Sequence, residues 1–270
     1  MPDRASSYRE PMRLTVLGGS GAWPTADQGC GGFLAEHDGF RLLIDPGYAT
    51  FPRLLASGHP ADALDAVLVS HGHPDHCADL NPLLRARRLA DVPAAPLPLH
   101  APRGALDAVL ALDKRSMLAG SYRLHEFWPT AEKGAFFEIG PFRVEARPLP
   151  HFVPNAGLRL TAPDGTVLAY TGDTGPSPLV PHLARDADLF LCEATYVHEV
   201  PDPSDAPYLL TAGLAGTYAE RAGARALLLT HLWPGTDPAA SLASAAARFG
   251  GPTRVTAPGL TVSPGTGDER

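Results

Sequence analysis

"VSHGHPDHC", Val69 to Cys77, packs three histidines and one aspartate into the six positions from His71 to His76. No other stretch of the chain is as dense in groups that bind a cation. Helical zinc sites space their histidines four residues apart; here the histidines stand at 71, 73 and 76, with Asp75 between the last two. Gly72 frees the backbone, and Pro74 favours an extended residue before it. His71 and His73 can then turn one way while Asp75 and His76 turn towards a second point. Four side chains on so short a loop cannot reach a single ion with good geometry, so the spacing predicts two ions. Imidazole with carboxylate favours Zn²⁺, with Mn²⁺ or Fe as alternatives. Two ions that share a carboxylate typically lie ~3.5–4 Å apart and hold a hydroxide between them, which is equipment for hydrolysing esters, amides or phosphate esters.

The loop follows one of many β-prone apolar runs: residues 13–18, 32–37, 41–45, 66–70 and 96–100, then 142–149, 156–162, 166–172, 188–194 and 226–230. Helical patterns intervene at 49–57, 79–90, 102–112, 176–185, 212–222 and 238–249, and "APDGT" (162–166) reads as a hairpin turn. Interleaved strands and helices plus hairpins predict a mixed-sheet α/β domain over 12–265, behind a loose polar tail at 1–11. Five runs end on a potential ligand or acid: His71, His151, Asp173, Glu193 and His231. In α/β sheets ligands bind at the carboxyl ends of strands. "AVLVSH" and "ALLLTH" match each other as strand, hydroxyl, histidine, as if two halves of the fold met at one mouth.

Composition narrows the partners. Net charge is −7, whereas proteins that grip long nucleic acid by its backbone show a basic face. The one basic cluster, Arg85, Arg87 and Arg88, reads as a solvated helix face. Three cysteines, Cys30, Cys77 and Cys192, have no disulfide framework spacing, and no run approaches transmembrane length. These features predict a cytoplasmic protein with no membrane partner and speak against a grip on long nucleic acid; the reading allows a homodimer.

Each candidate has a plain alternative. His151 also reads as a turn residue beside Pro150, and Asp173 as a helix cap. Asp45, before Pro46, either buttresses the metal loop or forms a turn. Glu193 is a buried acid near the site or a cap, and His198 follows it closely enough to stay a candidate. His37, His59, His100, His125 and His182 read as surface or packing residues, and Cys77 as a small packing residue.

The set resembles the metallo-β-lactamase superfamily, whose HxHxDH loop is followed by His, Asp and His: here His71, His73, Asp75, His76, His151, Asp173 and His231. The resemblance implies an αββα sandwich of two mixed sheets flanked by helices. It assigns His71, His73 and His151 to one ion, Asp75, His76 and His231 to the other, and Asp173 as the bridge. "LGGSGAWPT" (17–25), "LAYTGDT" (168–174), "CEATY" (192–196) and the run 210–231 resemble the ribonuclease Z-like branch, with its tRNA-processing endonucleases and cyclic-nucleotide phosphodiesterases. Two departures stand out. Residues 152–172 hold no basic arm, and Leu209 occupies a place where that branch keeps a histidine partnered by the glutamate of "EAT". The expectation is therefore a dinuclear hydrolase of a small, cyclic-nucleotide-like phosphodiester, with Asp75, Glu193 and His198 as catalytic candidates and nucleic acid disfavoured. The alternative is a lactone, ester or amide hydrolase with Tyr196 or Tyr208 as polarising groups; a non-catalytic metal-binding protein is a third reading. Residues 112–135 and 196–210 are expected to wall the pocket.

Overall fold

The computed structural model describes residues 10–130 and 132–265. The first half supplies β1 (Arg13–Ser20), β2 (Gly29–Cys30), β3 (Gly32–His37), β4 (Phe40–Ile44), β5 (Ala66–Leu68), β6 (Leu97–Pro102) and β7 (Tyr122–Phe127). The second supplies β8 (Ala135–Ile139), β9 (Phe142–Leu149), β10 (Asn155–Thr161), β11 (Val167–Tyr170), β12 (Leu189–Glu193), β13 (Leu227–Thr230) and β14 (Thr253–Val255), before β15 (Thr261–Val262) returns to the first sheet. One sheet runs β15-β1-β3-β4-β5-β6-β7 with β2 beside β1; the other runs β14-β13-β12-β11-β10-β9-β8. Both are mixed, parallel from β4 to β7 and from β11 to β14, antiparallel elsewhere in those orders.

Period-two alternation builds four layers from these strands. Leu42 and Ile44 of β4 and Leu189 and Leu191 of β12 point into a core shared by the two sheets, beside Phe33, Phe142 and Tyr170. Their neighbours point outward. Leu43, Val67 and Val69 meet Leu54 of α1 (Thr50–Ala56) and, beyond the one-turn α2 (Pro74–Cys77), Leu80, Leu83 and Leu84 of α3 (Leu80–Leu89). Two short helices, α4 (Asp107–Leu110) and α5 (Arg115–Leu118), extend that layer. Phe190, Cys192, Leu227 and Leu229 meet α6 (Leu179–Leu183), α7 (Ala212–Ala222) and α8 (Pro238–Ala246). Each fully buried leucine contributes roughly 1.5–3 kcal/mol, so strands buried on both faces read as continuous apolar runs. This is the αββα sandwich of two mixed sheets that the sequence implied.

Local signals set the ends of α7 and α8. Thr211 caps α7 by accepting from Leu214 N–H, and Gly223 closes it in the left-handed region at φ 64°. Asp237 caps α8 by accepting from Ala239 N–H, with Pro238 in the first turn.

Several expectations change. The pattern at 102–112 yields only Asp107–Leu110, and 176–185 only Leu179–Leu183. Strands β2, β7, β8, β14 and β15 were not expected. Arg87 belongs to no solvated patch: it is buried and donates to the carbonyls of Ala61, Leu64 and Ala95, while Arg85 pairs with Asp113 at 2.7 Å. Most of the expected tail, residues 1–9, lies outside the described residues; Glu10 N–H donates to Asp38 Oδ1 at 2.8 Å. No helix among the described residues is long and apolar enough to cross a membrane.

Candidate metal centre

Strand direction gathers the candidate ligands. β9 and β11 are each antiparallel to β10, and β12 and β13 run parallel to β11, so all four point the same way. His151, Asp173, Glu193 and His231 therefore emerge at one edge of the second sheet. β4 and β5, also parallel, deliver Asp45 and the His71 loop from the first sheet. The two edges are laced together: Ala156 N–H donates to Ser70 O at 3.0 Å, and Gly21 N–H to Leu232 O at 3.0 Å.

Within the loop, His73 is extended (φ −69°, ψ 146°), as the following proline requires, and Asp75 and His76 ride on α2. Gly72 has a different reason from the one read in the sequence. Its φ is not left-handed, but a Cβ there would meet Ala105 O at 2.6 Å. The strain sits elsewhere: Asp45, His231 and Ala22 adopt φ of 51°, 57° and 58°. Non-glycine residues in that region cost of order 1–3 kcal/mol each and persist where the surroundings over-determine them. A side chain on Gly21 would strike the His231 ring at 2.8 Å, so glycine is needed for that approach.

All seven expected ligands fall into two groups of four that share Asp173: His71, His73, His151 and Asp173, and Asp75, His76, Asp173 and His231. Within each group the donor atoms lie within 4.8 Å of one another. In the first, His73 Nδ1 is 3.1 Å from His71 Nε2 and 3.0 Å from His151 Nε2, and Asp173 Oδ2 is 3.7 Å from the latter two. In the second, His231 Nε2 lies 3.2 Å from Asp75 Oδ2 and 3.1 Å from Asp173 Oδ2, and His76 Nε2 lies 3.2 Å from Asp173 Oδ1.

Buried partners fix which ring nitrogen faces inward. Asp45 Oδ2 accepts from His76 Nδ1 (2.8 Å), Tyr170 OH (2.8 Å) and Ser70 Oγ (2.6 Å). Since the Ser70 hydroxyl donates to Asp45, it accepts from His71 Nδ1 at 3.0 Å. His151 Nδ1 donates to Tyr208 O at 3.0 Å. On the other side Thr195 Oγ1 donates to Glu193 Oε2 at 2.6 Å and accepts from His231 Nδ1 at 3.0 Å. His71, His76, His151 and His231 thus all turn Nε2 into the centre.

That donor set fits cations. Lone pairs of His71 and His151 converge on His73 Nδ1 at hydrogen-bond distance, where the one proton His73 Nδ1 can carry is all there is to share between the two contacts. His76 Nε2 and Asp173 Oδ1 are buried and, despite their 3.2 Å separation, make no properly angled hydrogen bond to each other or to anything else. Buried polar atoms seldom go unpartnered unless an ion or water completes them. The protonation pattern divides the groups. Burial holds His71, His73 and His151 below the usual imidazole range. Burial alone would also lower His76 and His231, but Asp173 and Asp75 outweigh it, raising His76 strongly and His231 to about 9. Asp173 and Asp75 move the opposite way, well below the carboxylate range, because neighbouring imidazoles overcome their burial. The two carboxylates thus favour positive charge at the second group, where a second cation would be held.

Two catalytic candidates need correction. Glu193 is fully buried, and its oxygens accept from Thr174 N–H, Thr195 N–H, Thr195 Oγ1 and Leu210 N–H. Burial and the charge of Asp173 push it up to about 7. It stands behind His231 and cannot touch substrate. His198 is exposed on a groove lined by Ala240, Ala243, Ser244, Ala247 and Arg248 of the α8 region, outside both ligand groups. Two contributors were missed. Thr195, and not the adjacent Thr230, holds His231, and Ala22 N–H donates to Asp75 Oδ2 at 2.8 Å. Nearness of Thr195 to Glu193 in "CEATY" was the available signal.

A protein of Mycobacterium tuberculosis, itself uncharacterised, is 36% identical over 89% of this chain and 88% of its own length. A protein of Kineococcus radiotolerans named ribonuclease Z is 31% identical over 91% and 92%. Among solved structures, the metallo-β-lactamase fold protein YhfI from Bacillus subtilis superposes with a TM-score of 0.83 at 26% identity, covering 94% of this chain and 99% of its own. A relative named ribonuclease Z removes the ground for excluding nucleic acid, so that expectation is withdrawn. The family model for the β-lactamase superfamily domain matches residues 40–232, and with these relatives it shows that the chain belongs to the metallo-β-lactamase superfamily of hydrolase folds.

Proposed function

We propose that this protein is a dinuclear metal-dependent hydrolase of a phosphodiester, most simply a small, cyclic-nucleotide-like one, with Zn²⁺ as its ions and the cytoplasm as its compartment. The observation that carries the proposal is the sharing of Asp173: Oδ2 faces His71, His151 and His231 while Oδ1 faces His76. One carboxylate so placed would serve two neighbouring ions. His71, His73 and His151 would hold one, and Asp75, His76 and His231 the other. When bound, such a pair activates water and neutralises charge that develops on a phosphoryl group.

The chain's own residues do the rest. Asp45 and Glu193, acting through Ser70 and Thr195, keep the imidazoles in one tautomer, so the centre does not reorganise as charge develops. His76 and His231 keep Asp75 ionised and Ala22 N–H orients it, so it would stand as an acceptor for the proton of an attacking water by position and not by basicity. Three free, buried cysteines support a reducing compartment.

Leu209 favours a second reading, a lactone, ester or amide. It is buried and apolar where a proton-donating histidine was expected. The deciding assay sets metal-defined protein against 3′,5′-cyclic nucleotides, bis(p-nitrophenyl) phosphate, lactones and pre-tRNA, with Asp75→Ala as control. Turnover of phosphodiesters that Asp75→Ala abolishes supports the proposal. Turnover of lactones with none of any phosphodiester overturns it.

A further inference from the structure

His151 is the ligand with an aromatic wall. The ring of its chain neighbour Phe152 lies 5.1 Å from the His151 ring and 4.7 Å from that of Tyr208, whose carbonyl holds His151 Nδ1. Despite these contacts Phe152 is 48% exposed, and Trp128, from the segment after β7, is 59% exposed. Both line one cavity of about 310 Å³ that also includes His151 itself. Pro102, Pro129, Pro150 and Pro154 supply much of the remaining wall, and no Asp, Glu, Lys or Arg lines it. Proline and aromatic walls are stiff, so an occupant immobilises few side chains on entering. An uncharged cavity of rings beside a metal ligand suits a flat, neutral group attached to whatever the centre holds. The other exposed aromatic group near the centre, Trp23 edge-on to Trp233 at 5.0 Å, adjoins a cavity with no metal ligand in its wall.

We propose that the Trp128–Phe152 cavity is a nucleobase subsite, receiving the base of a nucleotide whose phosphodiester sits at the metal centre; this rests on the phosphodiester reading above. Every base has a π-face, so aromatic walls give affinity for bases in general and little choice among them.

The test uses metal-loaded wild type, Trp128→Ala, Phe152→Ala and Trp128→Phe. Each is assayed on a 3′,5′-cyclic nucleotide and on the same diester lacking its base. Calorimetry then measures binding of a nucleoside 5′-monophosphate against ribose 5-phosphate. The alanine variants should raise KM for the nucleotide roughly 5- to 100-fold at nearly constant kcat, weaken the monophosphate similarly and leave the base-free ligands unchanged, with Trp128→Phe restoring most of the loss. Equal handling of base-bearing and base-free ligands by wild type overturns the subsite, as does an equal loss of both in the variants. If wild type cleaves no phosphodiester yet prefers the nucleoside monophosphate through Trp128, the subsite stands and the hydrolytic reading falls.

Discussion

Asp45 Oδ2 and His76 Nδ1 lie 2.8 Å apart in a fully buried contact, and the same oxygen accepts from Tyr170 and Ser70. One carboxylate oxygen therefore orients two ligand imidazoles, His76 directly and His71 through the Ser70 hydroxyl. Asp45→Asn keeps the shape but cannot accept at both oxygens. It should weaken metal binding by about 10- to 100-fold, the usual effect of removing such a buttress, measured by competition with a chromogenic chelator. An affinity unchanged from wild type would show that Asp45 only shapes the turn before Pro46.

Thr195 distinguishes the two ligand groups. Its hydroxyl hydrogen-bonds His231 and Glu193. Thr195→Val should therefore weaken one step of a two-step metal titration by about 10- to 100-fold and leave the other unchanged. Glu193→Gln should do the same more mildly, since the amide can still accept from Thr195. Equal weakening of both steps would show that the Glu193–Thr195 pair supports the fold and not one position.

The clustering of the candidate ligands was legible because His71, His151, Asp173 and His231 each follow an apolar run that reads as a buried strand, and strands of one direction end at one edge. The hydroxyl beside His231 was not. "AVLVSH" and "ALLLTH" are alike in sequence, yet Ser70 supports His71 while Thr230 Oγ1 has no hydrogen-bond partner. A residue two positions beyond the neighbouring strand does that work, and only the parallel register of β12 and β13 brings it there. Strand β7 escaped for another reason. Residues 123–126 are all exposed on this edge strand, so no apolar alternation marks it. The segment expected to wall the pocket at 112–135 contributes Trp128 and Pro129 to the cavity beside His151, whereas 196–210 puts no residue in that wall and reaches the centre through the Tyr208 carbonyl on His151; the one-residue glycine requirements at Gly21 and Gly72 are set by distant partners that no local pattern reveals.

His100 gives the fold a pH dependence separate from the metal centre. Its ring stacks between His125 at 4.8 Å and Phe137 at 5.7 Å, where β6 and β7 meet β8. Burial, and then the charge of His125, lowers it to about 4. The folded form resists a proton that the unfolded chain binds near 6.5, so stability is lost as pH falls from about 6.5 towards 4, and the group is silent above that window. In chelator, His100→Phe should hold its Tm better than wild type between pH 7 and pH 5, with the difference growing as pH falls. A difference independent of pH would remove His100 as the cause.

Gly21→Ala tests the close approach to His231. The added methyl would meet the ring at 2.8 Å, and His231 already sits at a strained φ of 57°. Displacing that ring should weaken the same metal step as Thr195→Val, with little change in the other. A full-affinity variant would show that the ring has room to move.

Metal stoichiometry by elemental analysis, on wild type, His76→Ala, His73→Ala and Asp173→Ala, bears most directly on the shared-carboxylate centre. The geometry predicts about two ions per chain in wild type, about one in each histidine variant, and weakened binding of both in Asp173→Ala. A His76→Ala variant that still holds two ions per chain, or an Asp173→Ala variant that loses only one, would contradict it.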